Sequence, residues 1–275
     1  MRPFPARRWF AALAGLAAAV VAVTLAAAPA NAITNGELDG DAHPYVGLMV
    51  AKDADGNPLW RCSGSLLSPT VYLTAGHCTQ APAVSADIWF GPDLRDAAAI
   101  DFPAHGDGRG ATFTHPDFDP AAPQVRDVGV VVLDQPVTMP RYAQLPQLDQ
   151  FESFTSKRGQ QDRTFTAVGY GVQRMFPEAA SWKIESQRLR MVAQPRLVQI
   201  DTAVTGDHSI MFSGNANTGG TCRGDSGGPF LVGDSDVVGA VNSFTRNEVC
   251  AGNTGAFRMD RSWALEFVGG FLLAG

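Results

Sequence analysis

The chain has 275 residues, 17% of them charged, and carries a net charge of −6 with 29 glycines and 18 prolines. This acidic balance argues against nucleic acid and against anionic membrane surfaces as partners. The length suits one two-lobed domain, or two small lobes that share a site.

Residues 1–32 have the composition of an export signal. Three arginines lie near the start, residues 10–28 are almost all Ala, Leu, Val and Gly, and Ala30-Asn31-Ala32 gives a small-x-small cleavage pattern. Its removal leaves residues 33–275 with 18 basic and 27 acidic side chains, and hence a net charge of −9. A retained membrane anchor is the alternative, because the apolar run approaches the length of a membrane span. The Arg7-Arg8 pair leaves twin-arginine export open beside the general secretory route.

Short apolar or alternating runs between turn signals predict an all-β protein. In chain order, the predicted strands are 45–50, 64–68, 71–74, 87–90, 111–114, 128–133, 164–169, 186–193, 196–201, 209–212, 229–232, 237–243 and 255–259. The polar, proline-containing stretch 134–163 is expected to connect two halves. Apolar residues at helical spacing in 261–273 predict a C-terminal helix packed on the body.

The stretch Gly224-Asp225-Ser226-Gly227-Gly228-Pro229 sets one serine in a tight glycine turn. A serine hydroxyl is a poor nucleophile until a base takes its proton. The stretch also reads as G-x-S-x-G, but the hydrolase fold with that elbow has its histidine after the serine. All the histidines precede Ser226, namely His43, His77, His105, His115 and His208. The order His, Asp, Ser therefore remains.

Two further segments supply a base and an acid in that order. The first is Leu73-Thr74-Ala75-Gly76-His77-Cys78, and the second runs from Asp127 through a Val-rich stretch to Leu133, with His115-Pro116-Asp117-Phe118 upstream. With the serine stretch, they resemble the motifs of chymotrypsin-like (trypsin-like) serine proteases, over about Ile33 to the C-terminus. Gly76 stands where that family usually has alanine. The Ala-rich composition suggests a bacterial, secreted member.

This resemblance implies a fold and a set of catalytic roles. The fold is two six-stranded antiparallel β-barrels, about 33–140 and about 160–260, followed by a C-terminal helix at about 261–273. His77 would be the general base, Asp127 its orienting acid and Ser226 the nucleophile. The backbone N–H groups of Gly224 and Ser226 would form the oxyanion hole.

Two other features follow from the same resemblance. The α-ammonium of a new N-terminus at Ile33 would pair with Asp225 and order the oxyanion hole, so that signal cleavage alone would activate the enzyme. Cleavage a few residues earlier with later trimming is the alternative. Four cysteines allow three pairings, and the family pattern selects Cys62–Cys78 and Cys222–Cys250. No C-x-x-C or histidine cluster suggests a metal, and no cofactor is implied.

The substrate pocket is expected around Gly220, Thr221 and Gly255, with a wall of Asn242, Ser243 and Phe244. Trypsins have an aspartate six residues before the nucleophile, where this chain has Gly220. An apolar residue at P1, the position before the cleaved bond, is therefore expected rather than a basic one. By this count Asn242 replaces a serine that commonly bonds the triad acid, Phe244 narrows the pocket, and Gly255 keeps the other wall open. A shift of one or two residues in the loop 242–250 is the alternative.

The resulting hypothesis is a secreted serine endopeptidase, monomeric, that acts on protein or peptide substrates through an acyl-enzyme. Nucleic acid, and a membrane after signal removal, are not expected partners. A protease-like binding protein without turnover is the alternative from another class. An esterase with the same triad is the third possibility.

Overall fold

A computed structural model describes residues 33–120, 125–155, 163–203 and 205–274 of the chain. The export signal expected at 1–32 lies outside the described residues. The strands are β1 Glu37–Leu38, β2 Val46–Lys52, β3 Pro58–Leu66, β4 Val71–Thr74, β5 Ser85–Trp89, β6 Gly108–Thr114, β7 Gly129–Leu133, β8 Phe165–Gly169, β9 Met191–Ala193, β10 Leu197–Ile200, β11 Ser209–Gly214, β12 Pro229–Val232, β13 Val238–Thr245 and β14 Gly252–Arg258. The helices are α1 Gly76–Thr79, α2 Glu152–Thr155 and α3 Ser262–Ala274, with a 3₁₀ helix at Glu178–Lys183.

The first six-stranded unit is a closed antiparallel barrel in the order β2-β3-β4-β7-β6-β5. Large apolar side chains such as Leu48, Tyr72 and Trp89 fill its core and are almost fully buried. The prediction of a closed N-terminal barrel is therefore confirmed. Gly64 in β3 and Gly110 in β6 let neighbouring strands approach closely, because a Cβ at either position would overlap a backbone carbonyl of the next strand.

The second unit is an eight-stranded antiparallel sheet in the order β1-β9-β8-β12-β13-β14-β11-β10. This sheet does not close on itself, so the prediction of a second closed six-stranded barrel is wrong. The first residues of the edge strand β10 approach the start of β8 through the isolated bridge Thr164↔Arg196. Its two hydrogen bonds run from the Phe165 N–H to the Pro195 carbonyl, 2.9 Å, and from the Leu197 N–H to the Arg163 carbonyl, 2.8 Å. Pro195 has no N–H to extend this contact into a ladder.

The N-terminal segment belongs to this second sheet, because β1 pairs with β9. Behind it, the buried Arg190 donates from Nε to Asp39 Oδ2 at 2.9 Å and from Nη1 to the Phe90 carbonyl at 2.7 Å. A buried guanidinium that lost its carboxylate would be strongly destabilising. The pair therefore fixes the chain that follows Ile33 against both sheets.

Both predicted disulfides, Cys62–Cys78 and Cys222–Cys250, are present. The predicted C-terminal helix is present as α3, whose Trp263 and Phe267 rings lie within 5.5 Å and 5.0 Å of the His115 ring. Burial lowers the pKa of His115, with a smaller effect from the nearby Arg126. Within the described residues, no helix is both long and apolar enough to span a bilayer.

Candidate active site

His77 and Asp127 meet at one end of the barrel because their strands pair. Antiparallel β4 and β7 place Thr74 opposite Gly129, so the residues just after β4 lie beside those just before β7. His77 Nδ1 is 2.7 Å from Asp127 Oδ2, and the His77 backbone N–H donates to Asp127 Oδ1 at 2.7 Å. Asp127 is fully buried, whereas the imidazole retains 29% of its exposure. The acid thus holds both the ring and the backbone of the histidine.

A third hydrogen bond to this acid comes from the other sheet. Ser243 Oγ donates to Asp127 Oδ2 at 2.5 Å. The count along the sequence assigns this contact to Asn242. The structure shows that the next residue, Ser243, makes it instead. Asn242 Oδ1 instead accepts a hydrogen bond from Thr221 Oγ1 at 2.8 Å. A β-bulge in β13, between Asn242 and Phe244, turns Ser243 towards the acid.

The loop that contains Ser226 lies between the two sheets. The Ser226 carbonyl accepts from the Ser63 N–H of β3 at 2.8 Å, and the Gly227 N–H donates to the Asn242 carbonyl at 2.8 Å. Gly227 has a φ of +81° and no room for a side chain, since a Cβ there would overlap Thr74 Oγ1. The loop therefore packs directly on the end of β4, the strand that leads into His77. The structure brings the serine segment, the histidine segment and the acid to one place.

The peptide before Gly224 is held in one orientation. The Arg223 carbonyl accepts a hydrogen bond from the Val172 N–H at 2.9 Å. The C=O and N–H of a trans peptide point in opposite directions. The Gly224 N–H therefore points away from Val172, on the side opposite to that contact. Gly224 has a φ of +93°, which glycine adopts readily and L residues rarely adopt.

Asp225 is a fully buried carboxylate held by backbone amides. Its Oδ1 accepts from the Gly171 N–H at 2.7 Å, and its Oδ2 accepts from the Cys222 N–H at 2.9 Å. Burial raises its pKa to about 7, although both hydrogen bonds act in the opposite direction. No ion pair between described residues includes it. A positive charge placed next to Asp225 would therefore stabilise its ionised form.

Ile33 and Thr34 reach the same region. Ile33 is fully buried, and Thr34 forms a bridge with Gly220, whose N–H donates to the Thr34 carbonyl at 3.0 Å. Ile33 has a φ of +55°, which is strained for a β-branched residue preceded by another residue. An N-terminal residue has no preceding carbonyl to clash with, so this strain is absent if the chain begins at Ile33.

Three contacts involve the predicted pocket residues. A Cβ at Gly220 would collide with the Gly214 backbone, and one at Gly255 would overlap the ring of Phe244. The ring thus covers Gly255, which the sequence interpretation had expected to leave open. Thr221 contacts both Asn242 and Thr254 Oγ1, the latter at 3.1 Å.

Sequence reasoning missed two residues at this site. Ser63, next to Cys62, contacts the serine loop with its backbone and its side chain. Thr254 contributes a hydroxyl to the polar cluster beneath the loop. Ser63 follows a cysteine predicted to form a disulfide with Cys78, and this position indicates that it lies near His77. Nothing near Thr254 in the sequence indicates its contact with Thr221.

The sulfur atoms of Cys62 and Cys78 lie near a nitrogen of His77, which in outline resembles a metal site. Both sulfurs are joined in a disulfide, so neither is a thiolate that could bind a metal ion. The partner of the His77 imidazole is the Asp127 carboxylate, not a metal ion.

The trypsin family model matches residues 39–260 of the chain. Serine protease 1 of Drosophila melanogaster is 27% identical over 223 residues, which cover 77% of this chain and 75% of that protein. Chymotrypsin of Phaedon cochleariae is 26% identical and covers 74% of this chain and 70% of that protein. Ovochymase of Halocynthia roretzi is 25% identical over 67% of this chain, which spans only 12% of that protein. These relatives lend no support to a bacterial source.

Solved structures share the fold. "HL collagenase" superimposes with a TM-score of 0.65 at 19% identity and covers 86% of this chain and 99% of its own. Human heparin binding protein gives 0.64 at 18%, covering 88% and 98%. A scabies mite inactivated protease paralogue gives 0.60 at 15%, covering 87% and 99%. Such identities establish the fold alone, and the last name cautions that this fold also occurs in inactive proteins.

Proposed function

Because the chain belongs to the trypsin family, we propose that it is a serine-type endopeptidase with His77, Asp127 and Ser226 as its catalytic residues. The observation that carries this proposal is the hydrogen-bonded series from Ser243 through Asp127 to His77, beside the loop of Ser226. His43 makes the same pair of contacts with the buried Asp39. What distinguishes His77 is its place beside the Ser226 loop and the added hydrogen bond from Ser243 to its acid. The disulfides support action in an oxidising compartment outside the cell.

The reaction begins with attack of Ser226 Oγ on the scissile carbonyl carbon, while His77 Nε2 takes the hydroxyl proton. Asp127 accepts the His77 Nδ1–H, which fixes the tautomer and stabilises the imidazolium. The N–H groups of Gly224 and Ser226 stabilise the oxyanion. His77 then gives its proton to the leaving amine as the peptide C–N bond breaks. Water, deprotonated by His77, then attacks the acyl carbon. The bond from that carbon to Ser226 Oγ breaks, His77 returns the proton to Oγ, and the acid product is released.

Activation would depend on the N-terminus. A chain that begins at Ile33 has an α-ammonium next to Thr34, which bridges Gly220 in the segment before Asp225. The positive charge of this ammonium would lower the raised pKa of the Asp225 carboxyl. The strained φ of Ile33 favours the same starting residue. Export cleavage after Ala32 would then produce the active form directly.

A small or medium apolar P1 residue suits this site best. Gly220 offers no carboxylate to a lysine or arginine side chain, and its contact with Gly214 leaves no room to add one. Phe244 over Gly255 reduces the space between the walls. These contacts support apolar over basic specificity.

The test is covalent labelling of the mature chain with a phosphonofluoridate, together with hydrolysis of casein. We expect one label per chain on Ser226, loss of label and of hydrolysis in Ser226→Ala, and retention of both in Ser235→Ala, a surface control. Turnover of p-nitrophenyl esters without casein cleavage would favour an esterase. Absence of labelling in correctly processed protein would instead favour a binding protein and refute the proposal.

A further inference from the structure

Ser63 lies in β3 and is fully buried between the barrel and the serine loop. Its Oγ donates to the Gly224 carbonyl at 2.9 Å and accepts from the Tyr170 N–H at 3.0 Å. The direction of both hydrogen bonds is fixed by chemistry, because a carbonyl can only accept and an amide N–H only donate. One hydroxyl thus joins the end of β8 to the peptide that follows Gly224.

This contact matters because Gly224 is flanked by two peptide units that can each rotate. The unit before it is held through the Arg223 carbonyl by the Val172 N–H at 2.9 Å. The unit after it is held at its carbonyl by the Ser63 hydroxyl and at its Asp225 N–H by the Cys222 carbonyl, 3.1 Å. Glycine has the widest choice of backbone conformations, so a φ of +93° persists only where neighbouring contacts impose it.

We propose that Ser63 is a positioning residue whose hydroxyl locks the peptide after Gly224 and so keeps the Gly224 N–H aimed at the substrate oxyanion. This inference rests on the proposed serine-peptidase function. The Ser63 hydroxyl touches neither the substrate nor the reacting atoms, and it acts on the reaction through the peptide after Gly224.

The backbone of Ser63 has separate partners, so its hydroxyl can be tested by itself. Its N–H donates to the Ser226 carbonyl at 2.8 Å, and its carbonyl accepts from Thr74 Oγ1 at 2.8 Å. Both contacts survive in Ser63→Ala. Only the Gly224 carbonyl and the Tyr170 N–H lose a partner.

Ser65 provides a matched control in the same strand. It is equally buried, and its Oγ has no hydrogen-bond partner among the described residues. Ser63→Ala and Ser65→Ala therefore remove the same atom from neighbouring sites, and only the first breaks hydrogen bonds. Ser63→Thr keeps a hydroxyl and serves as the conservative replacement.

The experiment compares kcat, KM and the inhibition constant of a peptide boronic acid, whose tetrahedral adduct places an oxygen in the oxyanion hole. In Ser63→Ala we expect kcat and boronate affinity to fall roughly tenfold to hundredfold with KM nearly unchanged, as for a lost buried hydrogen bond. Ser65→Ala should stay within about twofold of the parent, and Ser63→Thr should recover part of the loss. Equal boronate affinity in Ser63→Ala and the parent would overturn the proposal, whatever the change in thermal stability.

Amide hydrogen exchange separates this inference from the proposed function. Exchange of the Tyr170 N–H should accelerate in Ser63→Ala and not in Ser65→Ala, even if the parent hydrolyses nothing. A parent without activity but with this acceleration would refute the function and leave the positioning contact intact. Unchanged exchange at Tyr170 would refute the role of the Ser63 hydroxyl.

Discussion

One extra residue before Ile33 should change how the free energy of unfolding depends on pH. The perturbation is a chain that retains Ala32, compared with one that begins at Ile33. In the extended chain Asp225 is buried without an ion-pair partner, and its pKa rises from 3.8 to about 7. Three pKa units correspond to about 4 kcal/mol of unfavourable burial of the ionised form.

The sign follows from proton linkage. A carboxyl whose pKa is higher in the folded state contributes its stability fully below pH 3.8 and loses it as the pH rises towards 7. The extended chain should therefore lose up to about 1.4 kcal/mol per pH unit in this window, about 4 kcal/mol in total. In the chain that begins at Ile33 the ammonium favours the ionised carboxylate, so this decline should be absent or reversed. In the chain that begins at Ile33, relief of the strained φ also raises the free energy of unfolding by about 1–3 kcal/mol at every pH.

The assay is urea unfolding of both chains at intervals between pH 4 and pH 8, with kcat/KM measured on the same samples. Asp225→Asn in the extended chain is the control, because an amide has no charge to bury. Its profile should keep only the slope of other groups such as His115, so the contribution of Asp225 is the difference between the two profiles. Parallel pH profiles of the extended and Ile33 chains, with equal kcat/KM, would refute the reasoning about Asp225 and its partner.

Two further predictions concern Ser243 and Phe244. In Ser243→Ala the Asp127 carboxylate loses a hydrogen bond worth about 1.5–3 kcal/mol, so kcat should fall roughly tenfold to hundredfold on a peptide p-nitroanilide; a change below twofold would contradict this role. In Phe244→Ala the ring no longer covers Gly255, so the ratio of kcat/KM for a P1 Phe substrate over a P1 Ala substrate should rise about tenfold or more. A falling ratio would show that Phe244 does not limit the pocket.

The sequence determined the strands well wherever local pattern decides them. The predicted strand 71–74 coincides with β4, and the predicted helix 261–273 differs from α3 by one residue at each end. The expected strand 186–193 is only Met191–Ala193, because the backbone before it bonds to the 92–94 loop instead of to a strand. The Arg190 N–H donates to the Pro92 carbonyl at 2.9 Å, and the Leu94 N–H donates to the Arg188 carbonyl at 2.8 Å. Alternation of apolar residues is a local property, and it survives such tertiary contacts only in part.

The sequence also determined the three motif residues and their order, since chemistry fixes which residue types can act as base, acid and nucleophile. Only the tertiary structure decided that Ser243 rather than Asn242 reaches Asp127, that Ser63 holds the peptide after Gly224, and that the second sheet remains open at Pro195. A bulge turns one residue towards the acid, and a hydroxyl crosses from one sheet to the other. Both contacts depend on how strands that are far apart in the chain pack together. The spacing of residues along the sequence does not determine that packing.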